Sequence, residues 1–243
     1  MDLDGKRALI TGGGTGIGRA IALALAGEGC LVAIAGRREE KLRVTASLWK
    51  GKPRILARPA DVADRASVRR LFAWAQRRLG PIDILVQAAG INIKRRKLAE
   101  IDPQDWDRVL RVNATGAFNC LQGVLPQMRK RGEGLIINIS SVAGKRASPL
   151  AGIAYGASKH AVTALGICAG LEEGKHGIRI TNIYPGEVDT PILDDRPEPL
   201  SREYRARILK PEDIGMAVVM IARLPSRAHI PELVIKPLHQ PYA

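Results

Sequence analysis

The chain predicts an α/β fold, a doubly wound parallel sheet in three layers forming a single domain over residues 1–243, on three observations. Short apolar runs rich in Ile, Leu, Val and Ala recur along the chain, helical patterns fall between most of them, and a glycine-rich loop joins the first run to the first helix. Strands and helices that alternate at this spacing pack as parallel strands with right-handed crossovers and helices on both faces. At 46% apolar content the 243 residues suffice for one large core, and no internal repeat or low-complexity run interrupts them.

Strands are expected at 8–11, 31–35, 55–57, 82–87, 135–140, 179–184 and 233–235. The first runs into Thr11-Gly12-Gly13-Gly14-Thr15-Gly16-Ile17-Gly18 and then into a helical pattern that ends near Gly27. Glycines let the backbone turn tightly and approach a pyrophosphate, while the unpaired amides and dipole of the helix start favour negative charge. Gly12, Gly16 and Gly18 read G-x-x-x-G-x-G, not the G-x-G-x-x-G dinucleotide fingerprint, so the physical logic carries over although that spacing does not.

The second strand ends at Gly36-Arg37-Arg38, where a dinucleotide fold meets the adenosine ribose. An acidic residue there would prefer NAD. Two guanidiniums can instead hold a 2′-phosphate by charge-assisted hydrogen bonds, which favours NADP(H) over NAD. Glu39 and Glu40 as partners that occupy both arginines are the competing reading.

The fifth strand delivers Ser140 and Ser141 at its carboxyl end, the edge at which open parallel sheets bind ligands. Ser141 can hold a substrate oxygen or, alternatively, cap a turn. Tyr155 and Lys159 lie four positions apart in Ala154-Tyr155-Gly156-Ala157-Ser158-Lys159, and so share one helix face. A cation close to a phenol favours the phenolate and creates a proton-exchanging group, whereas the pair alone is also compatible with a solvated helix face. Residues 186–210, with Pro191, Pro197 and Pro199 among charges, form a long irregular stretch of the kind used as lids, with Leu193, Leu200 and Tyr204 as candidate apolar lining.

These motifs, in this order, make the chain resemble the classical short-chain dehydrogenase/reductases over nearly its whole length. The resemblance implies a Rossmann-type NAD(P)-binding fold and an oxidoreductase that interconverts a carbonyl compound and its alcohol. Thr11 to Gly18, including Gly14, Thr15 and Ile17, is similar to the family's cofactor loop. Asp61-Val62 resembles its adenine contact, and Ala89-Gly90 the end of its mid-sheet motif. Asn113, Ser141, Tyr155 and Lys159 match its catalytic tetrad. Pro185-Gly186-Glu187-Val188-Asp189-Thr190 resembles its nicotinamide-side loop, with Val188 and Thr190 facing the carboxamide.

One departure is Gln87-Ala88-Ala89-Gly90 where the family has Asn-Asn-Ala-Gly, which alters sheet-stabilising hydrogen bonds but removes no proton-transfer group. By the resemblance, Tyr155 is the general acid, and Lys159 lowers its pKa and binds the nicotinamide ribose. Ser141 orients the carbonyl, and Asn113 holds a water that links Lys159 to solvent. The resemblance also implies 186–210 as the substrate lid, and a homodimer or homotetramer through helices containing Asn113 and Tyr155.

The net charge of +14 is outside what the resemblance explains. Aromatics are only 4% of residues and the arginines are dispersed, which weighs against a nucleic-acid partner. Arg69-Arg70 and Arg77-Arg78 read as the outer face of a helix. Lys94-Arg95-Arg96-Lys97 and Lys145-Arg146 follow strand ends near the expected site and would attract an anionic small-molecule substrate, unless Glu187, Asp189, Asp194, Asp195 and Glu198 neutralise the field.

Cys30, Cys120 and Cys168 lack C-x-x-C spacing and are expected as buried reduced thiols. The four histidines do not cluster at metal spacing, so no metal is expected. No signal-peptide core or membrane-length apolar run is evident, which points to the cytoplasm and no membrane partner. Alternatives within the enzyme class are a polyol or sugar dehydrogenase and a 3-oxoacyl thioester reductase. Outside it stands a non-catalytic NADP-sensing regulator.

Overall fold

The computed structural model describes residues 2–240, and within them seven strands form one parallel sheet in the order β3-β2-β1-β4-β5-β6-β7. The strands are β1 Arg7–Thr11, β2 Leu31–Gly36, β3 Leu56–Pro59, β4 Ile84–Gln87, β5 Gly134–Ile139, β6 Ile178–Pro185 and β7 Glu232–Ile235. Each expected strand is present, with ends displaced by at most two residues. The helices are α1 Gly16–Gly27, α2 Glu39–Leu48, α3 Arg65–Leu79, α4 Pro103–Leu110, α5 Gly116–Arg131, α6 Ile153–Glu173, α7 Arg202–Arg207 and α8 Pro211–Arg223. A single π turn, Arg111–Thr115, joins α4 to α5.

The strands read as unbroken apolar runs because both sheet faces are covered. On β1, Ala8 and Ile10 enter one core with Ile21, Leu25, Val218 and Ile221 of α1 and α8. Leu9, pointing the opposite way, enters the other core with Leu71, Val124 and Met128 of α3 and α5. Each of the Leu, Ile, Val and Met side chains contributes about 1.5–3 kcal/mol of burial. Arg69, Arg70, Arg77 and Arg78 lie exposed on α3, as its periodicity requires.

An amide ladder crosses the sheet one residue inside the carboxyl edge. Gln87, Asn138 and Asn182 are in register on β4, β5 and β6. Gln87 Nε2 donates to Asn138 Oδ1 at 3.1 Å, Asn138 Nδ2 to Asn182 Oδ1 at 2.9 Å, and Asn182 Nδ2 to the Thr163 carbonyl of α6 at 3.2 Å. Gln87 thus supplies a cross-strand hydrogen bond despite its departure from the usual asparagine. Gly166 lets α6 lie directly on this ladder, for a Cβ there would stand 2.1 Å from Asn182 Oδ1.

Cys30 and Cys120 are buried, and burial pushes both thiols up to about 12. Cys168 corrects the expectation of three buried thiols. It is exposed on the outward face of α6, beside Ile167 and near Leu171, which is 81% exposed. Among the described residues no helix is long and apolar enough to cross a membrane.

Gly166→Ala is expected to destabilise the fold by about 1–3 kcal/mol, because the added methyl must displace buried amides. Gly156→Ala, where a Cβ meets nothing within 4 Å, should be neutral or stabilising by up to about 1 kcal/mol. Urea unfolding of the two variants checks the contrast.

Candidate active site

The strand order reverses direction between β1 and β4, and a cleft of about 380 Å³ opens at the carboxyl ends there. Gly12, Gly14, Thr15, Gly16, Ile17, Gly18, Arg37, Arg38, Asp61, Val62, Ala89, Gly90 and Thr190 line it. Gly12 sits at φ +71°, and a Cβ on it would lie 2.6 Å from the Ala88 carbonyl carbon. A Cβ on Gly18 would lie 2.4 Å from the Gly12 carbonyl oxygen, so the loop must be glycine for α1 to start against it. The Gly14 carbonyl accepts from Arg19 Nη2 at 2.8 Å and from Thr45 Oγ1 at 3.1 Å. Thr15 makes no side-chain cap, which leaves the first amides of α1 available to an anion.

Arg37 and Arg38 stand exposed at the rim of this cleft. Glu39 pairs with Arg43 at 2.7 Å instead of with either arginine, and among the described residues no carboxylate forms an ion pair with Arg37 or Arg38. The reading in which Glu39 and Glu40 occupy both arginines is therefore not the arrangement found. The Asp61 carboxylate accepts from the Ala63 amide at 2.9 Å, and Asn119 Nδ2 donates to the Val62 carbonyl at 2.9 Å, which fixes both residues at the cleft wall.

A second cavity of about 430 Å³ adjoins the first and is lined by Ser141, Tyr155, Lys159, Pro185, Gly186, Val188 and Thr190. Tyr155 and Lys159 share the inner face of α6, with Lys159 Nζ 5.5 Å from the centre of the Tyr155 ring. Ser141 Oγ accepts from the Ala143 amide at 3.1 Å, the turn cap expected as its alternative role, and its hydroxyl acts to lower the Tyr155 phenol with which it shares the cavity. The cap leaves the Ser141 hydroxyl on the wall of the second cavity.

Lys159 is buried, donates from Nζ to the Ile139 carbonyl at 2.8 Å, and is lowered by burial to about 8. Tyr155 is raised by burial, against which the Ser141 hydrogen bond and the charge of Arg96 act to lower it. Arg96 is thus a second cation beside this phenol, in addition to Lys159 over the ring. Lys159 directs its ammonium at the β5 carbonyl.

Asn113 sits on the π turn. Its Oδ1 accepts from the Ile91 amide at 2.9 Å, and its Nδ2 donates to the Ile91 carbonyl at 3.0 Å and to Ser158 Oγ at 2.9 Å. Its side chain therefore pins the segment after Gly90 to α6, and does not itself contact Lys159.

The stretch 186–210 leaves and re-enters the fold through a closed neck. Val188 bridges Leu209, with the Asp189 amide donating to the Leu209 carbonyl at 2.8 Å. Glu187 accepts from both Arg196 and the Tyr204 hydroxyl, while Asp189 binds Arg205 and Lys210 at 3.2 and 2.9 Å. Asp194 also binds Arg205. Leu193 and Tyr204 line the second cavity as expected, but Leu200 does not.

Of the two basic clusters, Arg96 and Arg146 line this cavity, whereas Arg95 is exposed away from it and Lys145 is engaged by Glu232 at 2.9 Å. Sequence reasoning missed His239 and Gln240, which form part of the wall. Gln240 Oε1 accepts from the Glu187 amide at 3.0 Å across 53 positions of chain, and no local pattern marks such a contact.

The family described as short chain dehydrogenase matches residues 6–200. The chain is 35% identical over 98% of its length to a glycine betaine reductase of Emericella nidulans, of which it spans only 19%. It is 35% identical to an uncharacterized oxidoreductase of Staphylococcus aureus, covering 97% of this chain and 99% of that one. An alcohol dehydrogenase of Thermococcus sibiricus complexed with 5-hydroxy-NADP superposes with a TM-score of 0.87 at 28% identity, covering 97% and 98% of the two chains. A 3-ketoacyl-(acyl-carrier-protein) reductase of Brucella melitensis complexed with NADH gives 0.86 at 29% identity, covering 96% and 98%.

A lysine lowered to about 8 costs stability wherever the unfolded chain holds the proton more tightly, fully below pH 8 and decreasingly as pH rises from 8 towards 10.5. Lys159→Met is expected to stabilise the fold at pH 7 by about 1–2 kcal/mol, after the loss of the Ile139 hydrogen bond, with the gain shrinking at pH 10. Urea unfolding at the two pH values checks the sign.

Proposed function

Because the chain belongs to the short chain dehydrogenase family, NAD(P)-dependent oxidoreductases of CH–OH and C=O groups, we propose that it reduces a small carbonyl compound with NADPH, with Tyr155 as general acid. The observation that carries this reading is the convergence of Ser141, Tyr155 and Lys159 where the glycine-loop cleft meets the second cavity. The cradle fits a dinucleotide: Gly12 and Gly18 stand where a Cβ would fill the loop, the first amides of α1 face the cleft, and Arg37 and Arg38 suit a 2′-phosphate.

When bound, the nicotinamide supplies or accepts the hydride. A carbonyl oxygen in the second cavity accepts hydrogen bonds from Ser141 Oγ and Tyr155 Oη, which orients it and polarises it. Tyr155 gives its proton to that oxygen as negative charge develops, and the phenolate left behind is met by Arg96 and Lys159. Lys159, protonated at neutral pH, is placed to hold the ribose hydroxyls of the cofactor. Asn113 keeps the Gly90–Ile91 wall in place. Val188 and Thr190, which line the second cavity, would meet the carboxamide, and the tied loop 186–210 would act as the lid that excludes water.

The same atoms run in reverse in a polyol or sugar dehydrogenase, and they serve a 3-oxoacyl thioester reductase equally. Reduction follows from the preference for NADPH. A non-catalytic NADP sensor would have no need for Tyr155, Ser141 and Lys159 to remain together in one cavity. Cysteines without a disulfide among the described residues suit a reducing, cytoplasmic setting. The exposed apolar Ile167 and Leu171 on α6 support association into a homodimer or homotetramer.

Nicotinamide fluorescence titration, followed by a panel of aldehydes, ketones, oxo acids and 3-oxoacyl thioesters, tests the assignment. Tyr155→Phe is expected to bind NADPH normally and lose roughly 10²–10⁴ in kcat. Arg37→Ala plus Arg38→Ala should weaken NADPH about 10–100-fold and leave NADH unchanged. Equal affinity of the wild type for both cofactors would overturn the NADPH preference. For the assembly, Leu171→Glu is expected to lower the mass seen by light scattering to that of a smaller oligomer; an unchanged mass would remove α6 from the interface.

A further inference from the structure

We infer that the cavity beside Tyr155 contains a carboxylate subsite built on Arg96, so that the carbonyl substrate is an oxo acid. The inference rests on the reductase reading and names the substrate class of that same site.

Arg96 is 5% exposed and its guanidinium is spread over three segments. Nε donates to the Ile93 carbonyl at 2.9 Å, Nη1 to the Leu150 carbonyl at 3.0 Å, and Nη2 to the Asp195 carbonyl of the lid. All three acceptors are neutral main-chain oxygens. They fix the group in place without neutralising it, and Arg96 forms no ion pair among the described residues; the Asp195 carboxylate and the Tyr155 phenol act on it only through space. Burial and the neighbouring Arg196 both disfavour the charged form, which marks how little opposite charge surrounds it. Arg196 spends its own charge on Glu187, which is shared with Tyr204, so the carboxylate that lines the cavity among the described residues is already engaged.

The position is constructed. Gly152 stands at φ +82° against the Arg96 stem, where a Cβ would come within 2.5 Å of Arg96 Cβ. A buried cation without a counter-charge is costly, and it is retained where a ligand supplies the anion. One N–H remains on each of Nη1 and Nη2 after the three carbonyl bonds, and a planar carboxylate accepts a pair of guanidinium N–H groups. Arg96 lines the cavity that holds the Tyr155 hydroxyl and acts electrostatically on it, so a carboxylate on Arg96 and a carbonyl on Tyr155 fit within one small molecule.

The experiment compares linear oxo acids, from pyruvate to 5-oxohexanoate, with their methyl esters at saturating NADPH. Wild type is expected to favour at least one acid over its ester by about 30-fold or more in kcat/KM, with the preference falling as ionic strength rises. In Arg96→Gln any loss that comes from Tyr155 falls on kcat of acid and ester alike, while the acid alone loses binding, so the acid-to-ester ratio in kcat/KM should fall by about 10-fold or more through KM of the acid. Esters that match or exceed the acids in wild type overturn the subsite, as does an equal loss on acid and ester in Arg96→Gln, which would confine Arg96 to supporting Tyr155 or the lid. Turnover of neutral carbonyls without acid preference leaves the reductase reading standing and removes only the subsite. If wild type reduces neither series, the reductase reading fails on its own, and calorimetric titration of the NADP-loaded protein with malonate decides the subsite: heat of binding in wild type but not in Arg96→Gln supports it, and none in wild type overturns it. Arg96→Lys serves where Arg96→Gln fails to fold.

Discussion

Everything at the catalytic end of this molecule depends on one buried cation satisfied by one strand end. Lys159 donates to the Ile139 carbonyl at the finish of β5, and the Lys159 carbonyl in turn accepts from Ser140 Oγ at 3.2 Å. These reciprocal contacts fix the axial position of α6 on the sheet. Gly166 then fixes its distance, because only a residue without a Cβ clears the amide ladder. With α6 located in both directions, Tyr155 is carried to the Ser141 hydroxyl with no further device. The cost of burying the ammonium is borne by the fold at neutral pH, as is usual where a charge is kept for function.

The cofactor cleft and the second cavity are held by different physics. The cleft is a matter of backbone: glycines that permit close approach, carbonyls turned away and satisfied by Arg19 and Thr45, amides left facing inward. The second cavity is held by side chains that cross long sequence distances. Glu187 gathers Arg196, Tyr204 and the Gln240 side chain, while Arg96 ties the lid to the loop before α6. The first arrangement serves any dinucleotide oxidoreductase, while the second decides which substrate enters.

That division also explains what was legible in the sequence. The strands were readable because double-sided burial leaves unbroken apolar runs, and the glycine loop because its strand-before and helix-after context is local. The partnership of Tyr155 and Lys159 followed from helical spacing alone. Its electrostatics did not, since burial and Arg96 enter from segments far along the chain. Arg96 looked equivalent to Arg95 in a run of four cations, and only the fold turns one inward and the other to solvent. Cys168 was misjudged because an apolar helical neighbourhood does not distinguish a face that meets the sheet from one left open. His239 and Gln240 carried no signal at all, because their role exists only once β7 has returned the chain to the site.

The excess of positive charge has a structural component that composition alone conceals. Several of the arginines are used as caps on main-chain carbonyls: Arg19 on Gly14, Arg131 on Ile82, Arg96 on three segments, and Arg179 Nη1 on Ala228 at 2.9 Å with Leu224 at 3.3 Å. A guanidinium with five donors satisfies carbonyls that loops leave unpaired, and does so without recruiting a carboxylate. Arg131 also pairs with Asp83 at 3.6 Å, whereas Arg19, Arg96 and Arg179 form no ion pair among the described residues, so each of these three adds a positive charge without a carboxylate partner. A chain that pins its loops this way becomes basic whether or not it has a polyanionic partner. Where the capped loops surround a cavity, as around Arg96, the same habit leaves positive potential beside the reacting atoms, and loop construction and substrate selection become one property of the residue.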